Sequence, residues 1–174
     1  MKKAWIRFAV LLILAVLFLS FALFAGVLAP FDPLESHYTD MLKAPNSTYI
    51  FGTDQLGRDL FSRILYGGKS SLLIAFTVTA IISSVGILVG TIAGFTGGIF
   101  DNLLMRFSDM LMAFPGYIFT IALVSFIGVG LPNMILAMSL TGWTYYARIS
   151  RSLVLSVKNN VYIEQARLGG ASNW

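Results

Sequence analysis

The residues best able to do chemistry lie in one polar stretch from Pro30 to Ser71, where Asp54, Arg58 and Asp59 fall close together. Two carboxylates beside a guanidinium could serve as general acid and base. An acid–base pair with a nucleophile is not evident among them. A membrane enzyme or anchored scaffold working through this stretch stays as an alternative reading, one that lacks its full set of groups. Gly67-Gly68-Lys69-Ser70 ends like a phosphate-binding loop, in which amides and a lysine cradle phosphates. The first glycine of that motif would have to fall on residue 63, which is Arg63, and the segment leads into an apolar run. Any nucleotide is therefore expected on another chain. His37 stands alone and there is no cysteine, so no metal-ligand cluster is expected. Asn46-Ser47-Thr48 fits a glycosylation sequon, a three-residue match to which no role is assigned.

The elements that must hold these residues follow from composition. Of 174 residues, 57% are hydrophobic and 11% charged, against roughly 45–50% and about 25% in an ordinary soluble domain. A water-soluble globule is excluded, because lipid must solvate much of this apolar surface. Uncharged runs cover Phe8 to Ala29, Leu72 to Gly94, Met110 to Leu131 and Pro132 to Ala147, which predicts four transmembrane helices. The fourth is short and is expected to continue through Arg148 and Arg151, whose stems can snorkel. The first run exceeds the usual signal-peptide core of about 7–15 residues, so a retained anchor is expected.

An N-terminus inside places Lys2, Lys3, Arg7, Arg106, Arg148, Arg151, Lys158 and Arg167 in the cytoplasm and leaves Lys43, Arg58, Arg63 and Lys69 outside. The basic excess is thus a topology signal, and no nucleic-acid footprint remains. Three regions result: an anchor over 1–29, an extracytoplasmic loop over 30–69, and a transmembrane region over 70–174. Within the loop, Leu56, Leu60, Ile64 and Leu65 recur at helical spacing, predicting an amphipathic helix from Asp54 to Tyr66 with Thr53 as N-cap.

Gly86, Gly90, Gly94 and Gly98 are spaced by four and predict a smooth ridge for close helix packing. Arg106 and Asp109 are placed to pair on one helix face, and Pro115 removes a backbone hydrogen bond beyond them. From Ala147 to Trp174 basic and apolar residues alternate and end in Gly169-Gly170. That segment could dock on a protein or lie on an anionic leaflet.

Three motifs in order resemble the permease subunits of binding-protein-dependent ABC importers, in the dipeptide, oligopeptide and nickel group. The first is Phe51-Gly52-Thr53-Asp54-Gln55-Leu56-Gly57-Arg58-Asp59 with Ser62-Arg63. The second is Gly97-Gly98-x-x-Asp101-Asn102 with Met105-Arg106-x-x-Asp109 and Ala113-x-Pro115. The third, Glu164-Gln165-Ala166 with Gly170, is similar to the start of the family's EAA loop. The resemblance implies an all-α polytopic fold like a type I importer permease, with about four of six spans present. It also implies that Glu164, Gln165, Ala166 and Gly170 belong to a coupling helix seated on an ATPase subunit, which favours protein docking over the leaflet. Gln165 replaces the family's usual first alanine, and Lys69 stands where related sequences commonly carry arginine.

The implied partners are a second homologous permease, two ATPase subunits, an extracytoplasmic binding protein and the bilayer of the cytoplasmic (inner) membrane, with no nucleic acid. The permease itself would perform no covalent chemistry and hold no cofactor; ATP and magnesium would sit in the ATPases. Related permeases continue past the EAA loop, so a chain ending at Trp174 is expected to be a fragment or truncated product, with a non-transporting remnant as the alternative. Dipeptides, longer peptides and nickel remain open as substrates, since selectivity is expected to rest largely on the binding protein.

Overall fold

The computed structural model describes residues 2–158 and 160–171, and its chain is helical almost throughout. The side chains of Lys2, Lys3 and Arg167 and the end at Trp174, used in the expectations above, lie outside what is described. The chain forms two compact units, Met1–Leu73 and Ile74–Trp174.

In the first unit, α1 (Lys2–Leu23) is apolar all round, as a lipid-facing helix must be. Its Ile6, Leu11 and Phe18 are exposed. A break at Phe24 leads to the single turn α2 (Ala25–Leu28), and a loop follows that contains a short 3-10 turn over Tyr38–Asp40.

The helix α3 begins at Leu60, not at Asp54, and runs without interruption to Thr96 over 37 residues. The predicted amphipathic helix is therefore not a separate element. Its first residues are a turn, because the Asp54 carboxylate accepts the backbone N–H groups of Leu56 (2.8 Å) and Arg58 (3.0 Å) and competes with the helix ladder. The helix instead starts after Asp59, whose carboxylate caps it by accepting the Ser62 N–H at 2.8 Å. At about 55 Å, α3 exceeds the roughly 30 Å hydrocarbon core, so its ends must project beyond it.

In the second unit the rest of α3 is followed by α4 (Gly98–Ala113), α5 (Gly116–Ile127), α6 (Leu131–Lys158) and α7 (Val161–Leu168). The third expected span is broken: α4 and α5 meet at 82° around Phe114 and Pro115. Proline lacks the N–H that would continue the ladder, and it disfavours helical backbone at the residue before it. The fourth run does continue as helix through Arg148 and Arg151. Among the described residues two helices are long and apolar enough to cross a membrane, or three if the bent pair is one span. The helix α6, where the fourth span was expected, is long enough but is not among these, its apolar residues being diluted by Pro132, Asn133 and the cations Arg148, Arg151 and Lys158.

The core of this unit is a seam of small residues between α3 and α6. A methyl group added at Gly86 would lie 2.5 Å from the Trp143 carbonyl oxygen, and one at Gly90 would overlap the Ala147 carbonyl group. At Gly94 it would press on Val154 at 3.0 Å. Ala93, Ala147 and Thr144 are buried along the same seam. Gly98, the fourth residue of the ridge in sequence, has no neighbour within 4 Å and instead opens α4. Gly90→Ala should destabilise the detergent-extracted protein by about 1–3 kcal/mol through overpacking, whereas Gly67→Ala, with open space around it, should be neutral or slightly stabilising. Thermal unfolding of the two variants beside the parent checks this, and equal midpoints would sink it.

Candidate functional site

Two groups of sequence-predicted residues are assembled by the fold, one in each unit. In the first unit the motif from Gly52 to Arg63 closes into a knot centred on Asp54. Thr53 and Asp59 face each other as an antiparallel bridge, and the Gly57 N–H donates to the Asp54 carbonyl at 3.0 Å. A side chain on Gly57 would overlap the His37 carbonyl, and the residue has φ +73°, so glycine is required at this crossing. The Gly52 carbonyl accepts the Leu60 N–H at 3.1 Å.

Arg58 reaches Asp54 through Nε at 2.9 Å and Nη2 at 2.8 Å, and Arg63 adds Nη1 at 2.5 Å. Burial alone would raise the Asp54 carboxyl, but the Arg58 guanidinium and the amides of Arg58 and Leu56 outweigh it and bring it down to about 2. Thr53 is buried, donates its hydroxyl to the Asp40 carbonyl, and accepts the Lys43 N–H at 2.9 Å. The Lys43 ammonium and then the Tyr49 hydroxyl hold the Asp40 carboxyl below the usual carboxylate range. Ser62 is fully buried, donating to Asp59 Oδ2 at 2.7 Å and accepting the Phe31 N–H at 3.2 Å. Asp54 and Asp59 are thus spent on holding the loop, which removes the acid–base pair that an enzymatic reading needs. Gly67 to Ser70 lie inside α3, where no loop of free amides exists to cradle a phosphate.

In the second unit the predicted pair of Arg106 with Asp109 does not form. Asp109 pairs instead with Arg148 of α6, because α6 lies alongside α4 and its long arginine stems reach across. Arg151 binds the buried Asp101 through both nitrogens of its fork, Nε to Oδ1 at 2.5 Å and Nη2 to Oδ2 at 2.7 Å. Phe107 stacks on Trp143 with ring centroids 6.5 Å apart. Lys158, at the end of α6, donates to the Phe95 carbonyl at 2.5 Å, satisfying one of the last carbonyls of α3.

The helix α7 follows at once: the Asn160 carbonyl accepts the N–H groups of Ile163 (3.0 Å) and Glu164 (3.3 Å). Glu164, Gln165 and Ala166 are all exposed on it, beside exposed Val161, Tyr162 and Leu168. Gly170, with φ +89°, ends the helix as a left-handed cap. The Ala171 N–H reaches back to the Ala166 carbonyl at 3.0 Å, the six-to-one bond of a Schellman motif. Pro115 sits apart, at the start of α5. The cross-helix pairs of Arg148 and Arg151 were missed from sequence because partner choice between helices carries no fixed spacing.

A profile of the family described as "Binding-protein-dependent transport system inner membrane component" matches residues 86–174. Similar proteins include the probable D,D-dipeptide transport system permease protein DdpC of Escherichia coli K12, 36% identical over 93% of this chain and 54% of its own length. The nickel transport system permease protein NikC of the same strain is 35% identical over 99% of this chain and 62% of its own. The oligopeptide transport system permease protein OppC of Bacillus subtilis 168 is 36% identical over 98% and 58%. The chain spans a little over half the length of these relatives.

The depressed Asp54 carboxyl sets a pH window for the knot. Its stabilisation is complete above the ordinary carboxylate range of about 3.9 and is lost as pH falls from there through about 2. Pepsin cleavage between residues 40 and 58 should therefore accelerate over that window in the parent, while Asp54→Asn shows no such step. At neutral pH Asp54→Asn should speed tryptic cleavage after Arg58 and Arg63 by about tenfold, as expected for losing charged hydrogen bonds worth about 1.5–3 kcal/mol. Identical cleavage rates in parent and variant would refute the hub assignment.

Proposed function

Given that the chain belongs to the family of binding-protein-dependent transport system inner membrane components, we propose that it is part of a membrane permease subunit of an ATP-driven importer. The relatives are permeases for dipeptides, oligopeptides and nickel, and this group supplies the substrate class. The subunit forms half of a pathway across the cytoplasmic membrane with a second, similar permease, and its N-terminus lies in the cytoplasm. An extracytoplasmic binding protein delivers substrate. Two ATPase subunits hold ATP and magnesium and hydrolyse the nucleotide; their closure drives the helices between outward-open and inward-open states.

The observation that carries this reading is α7. It is a short helix whose Glu164, Gln165 and Ala166 are exposed, separated by two residues from the end of the long α6 and closed by the Gly170 cap. Such a helix offers a protruding knob with apolar Tyr162 and Leu168 for a groove on a partner, and α6 gives it a stiff arm into the helical core. The polar knot of the first unit supports the same reading, because an ordered polar loop offers a delivering protein one fixed shape.

Gly170→Trp should break the left-handed cap and reduce recovery of the ATPase with the full-length subunit by about tenfold. Membrane insertion should be unchanged. Detergent pull-downs with a tagged permease measure this, and undiminished ATPase recovery would count against α7 as the docking element.

A further inference from the structure

The helix α4 is suspended between two breaks. At its start Gly97 and Gly98 both have φ +67° with open space around them, and at its end Phe114 and Pro115 turn the chain by 82° into α5. Among the described residues the cross-helix polar contacts of α4 both go to α6. Asp101 holds Arg151 and Asp109 holds Arg148, with the Phe107–Trp143 stack beside them. The helix α6 is itself fixed to α3 by the glycine seam and by Lys158 on the Phe95 carbonyl. It runs on into α7.

We propose that Asp101 and Arg151 are positioning residues for transport, latching α4 to α6 so that a displacement of α7 swings α4 about its two breaks. The proposal rests on the reading of α7 as the ATPase-docking helix. Three features support it. Asp101 is buried at 5% exposure and Arg151 grips it with two parallel bonds, so the pair fixes an angle as well as a distance. Removing one partner of a buried ion pair leaves an uncompensated charge, so the two helices are held at the register in which the pair is made. The second pair, Asp109 with Arg148, is exposed on both sides and worth little alone. Asp101 and Arg151 therefore carry the latch. The tie lies close to the Gly97–Gly98 break, and beyond the Pro115 break α5 packs along α6 as well.

The test uses the full-length permease assembled with its partner permease, ATPases and binding protein in liposomes, and reads radiolabelled dipeptide or nickel transported per ATP hydrolysed. Arg151→Gln should keep the ATPase in pull-downs and basal hydrolysis within about twofold, while transport per ATP falls by about tenfold. Arg151→Lys keeps the charge without the fork and should fall between. The swap Asp101→Arg with Arg151→Asp should recover most of the coupling. Unchanged transport per ATP in Arg151→Gln overturns the latch. Should Arg151→Gln not insert, the swap decides: recovery supports the latch, and a swapped protein that assembles but stays uncoupled overturns it. A parent permease that retains no ATPase would mark a different failure, that of the α7 reading, and would remove the latch with it.

Discussion

The approach of α3 to α6 is the constraint on which the second unit depends. In lipid no hydrophobic force draws one helix to another, because the solvent is as apolar as the side chains, so association rests on contact between surfaces that fit. Gly86, Gly90 and Gly94 let the backbone of α6 come so near that its carbonyls occupy the positions side chains would take. That closeness fixes the rotation of α6 about its axis. Arg151 lies on the same stripe as Ala147 and Val154, with its backbone against Gly94, and its side chain, like that of Arg148, reaches a carboxylate on α4. Position along the seam thus determines electrostatics one helix away.

The first unit solves a different problem with the opposite chemistry. Its loop leaves much of its apolar surface exposed, and its order comes from one carboxylate that gathers two backbone amides and two guanidinium groups. Asp54 and Asp59 divide the work. The first closes the turn and the second caps the helix that follows, so a single short motif both ends a loop and starts α3. The aromatic pairs Phe31–Tyr49 and Phe51–Phe61, at 5.2 and 5.3 Å, pack the remainder.

How legible this was depends on whether the signal is local. Apolar runs longer than the hydrocarbon thickness marked α1 and α3, and the fourfold glycine spacing marked the face on which α3 packs, because both follow from helical geometry alone. The start of α3 was misplaced by six residues: Leu56 and Leu60 kept helical spacing, but the Asp54 side chain offered the backbone a better partner than the helix did. The break at Pro115 was visible as a missing donor, though not its angle, which depends on what the two halves pack against. Arg106 was assigned to Asp109 by spacing along one helix, and α6 supplied the competitor that spacing cannot reveal. Of the residues proposed to dock, Gly170 was legible only as part of the glycine end of the segment; its role as a left-handed cap and the exposure of Glu164 to Ala166 emerged with the fold.

These two kinds of signal separate what holds the molecule together from what lets it move. The seam of α3 and α6 is continuous, apolar and close-packed, and such packing has one arrangement of lowest energy. The contacts of α4 with α6 include two ion pairs and one aromatic stack and are bounded by breaks, so they define a direction without filling a core. A helix held in that way can turn about its breaks while the two-bond fork of Arg151 on Asp101 keeps it tied to α6. The same chain therefore provides a rigid beam, α6, and an element tied to it that can tilt, with the tie placed next to one pivot.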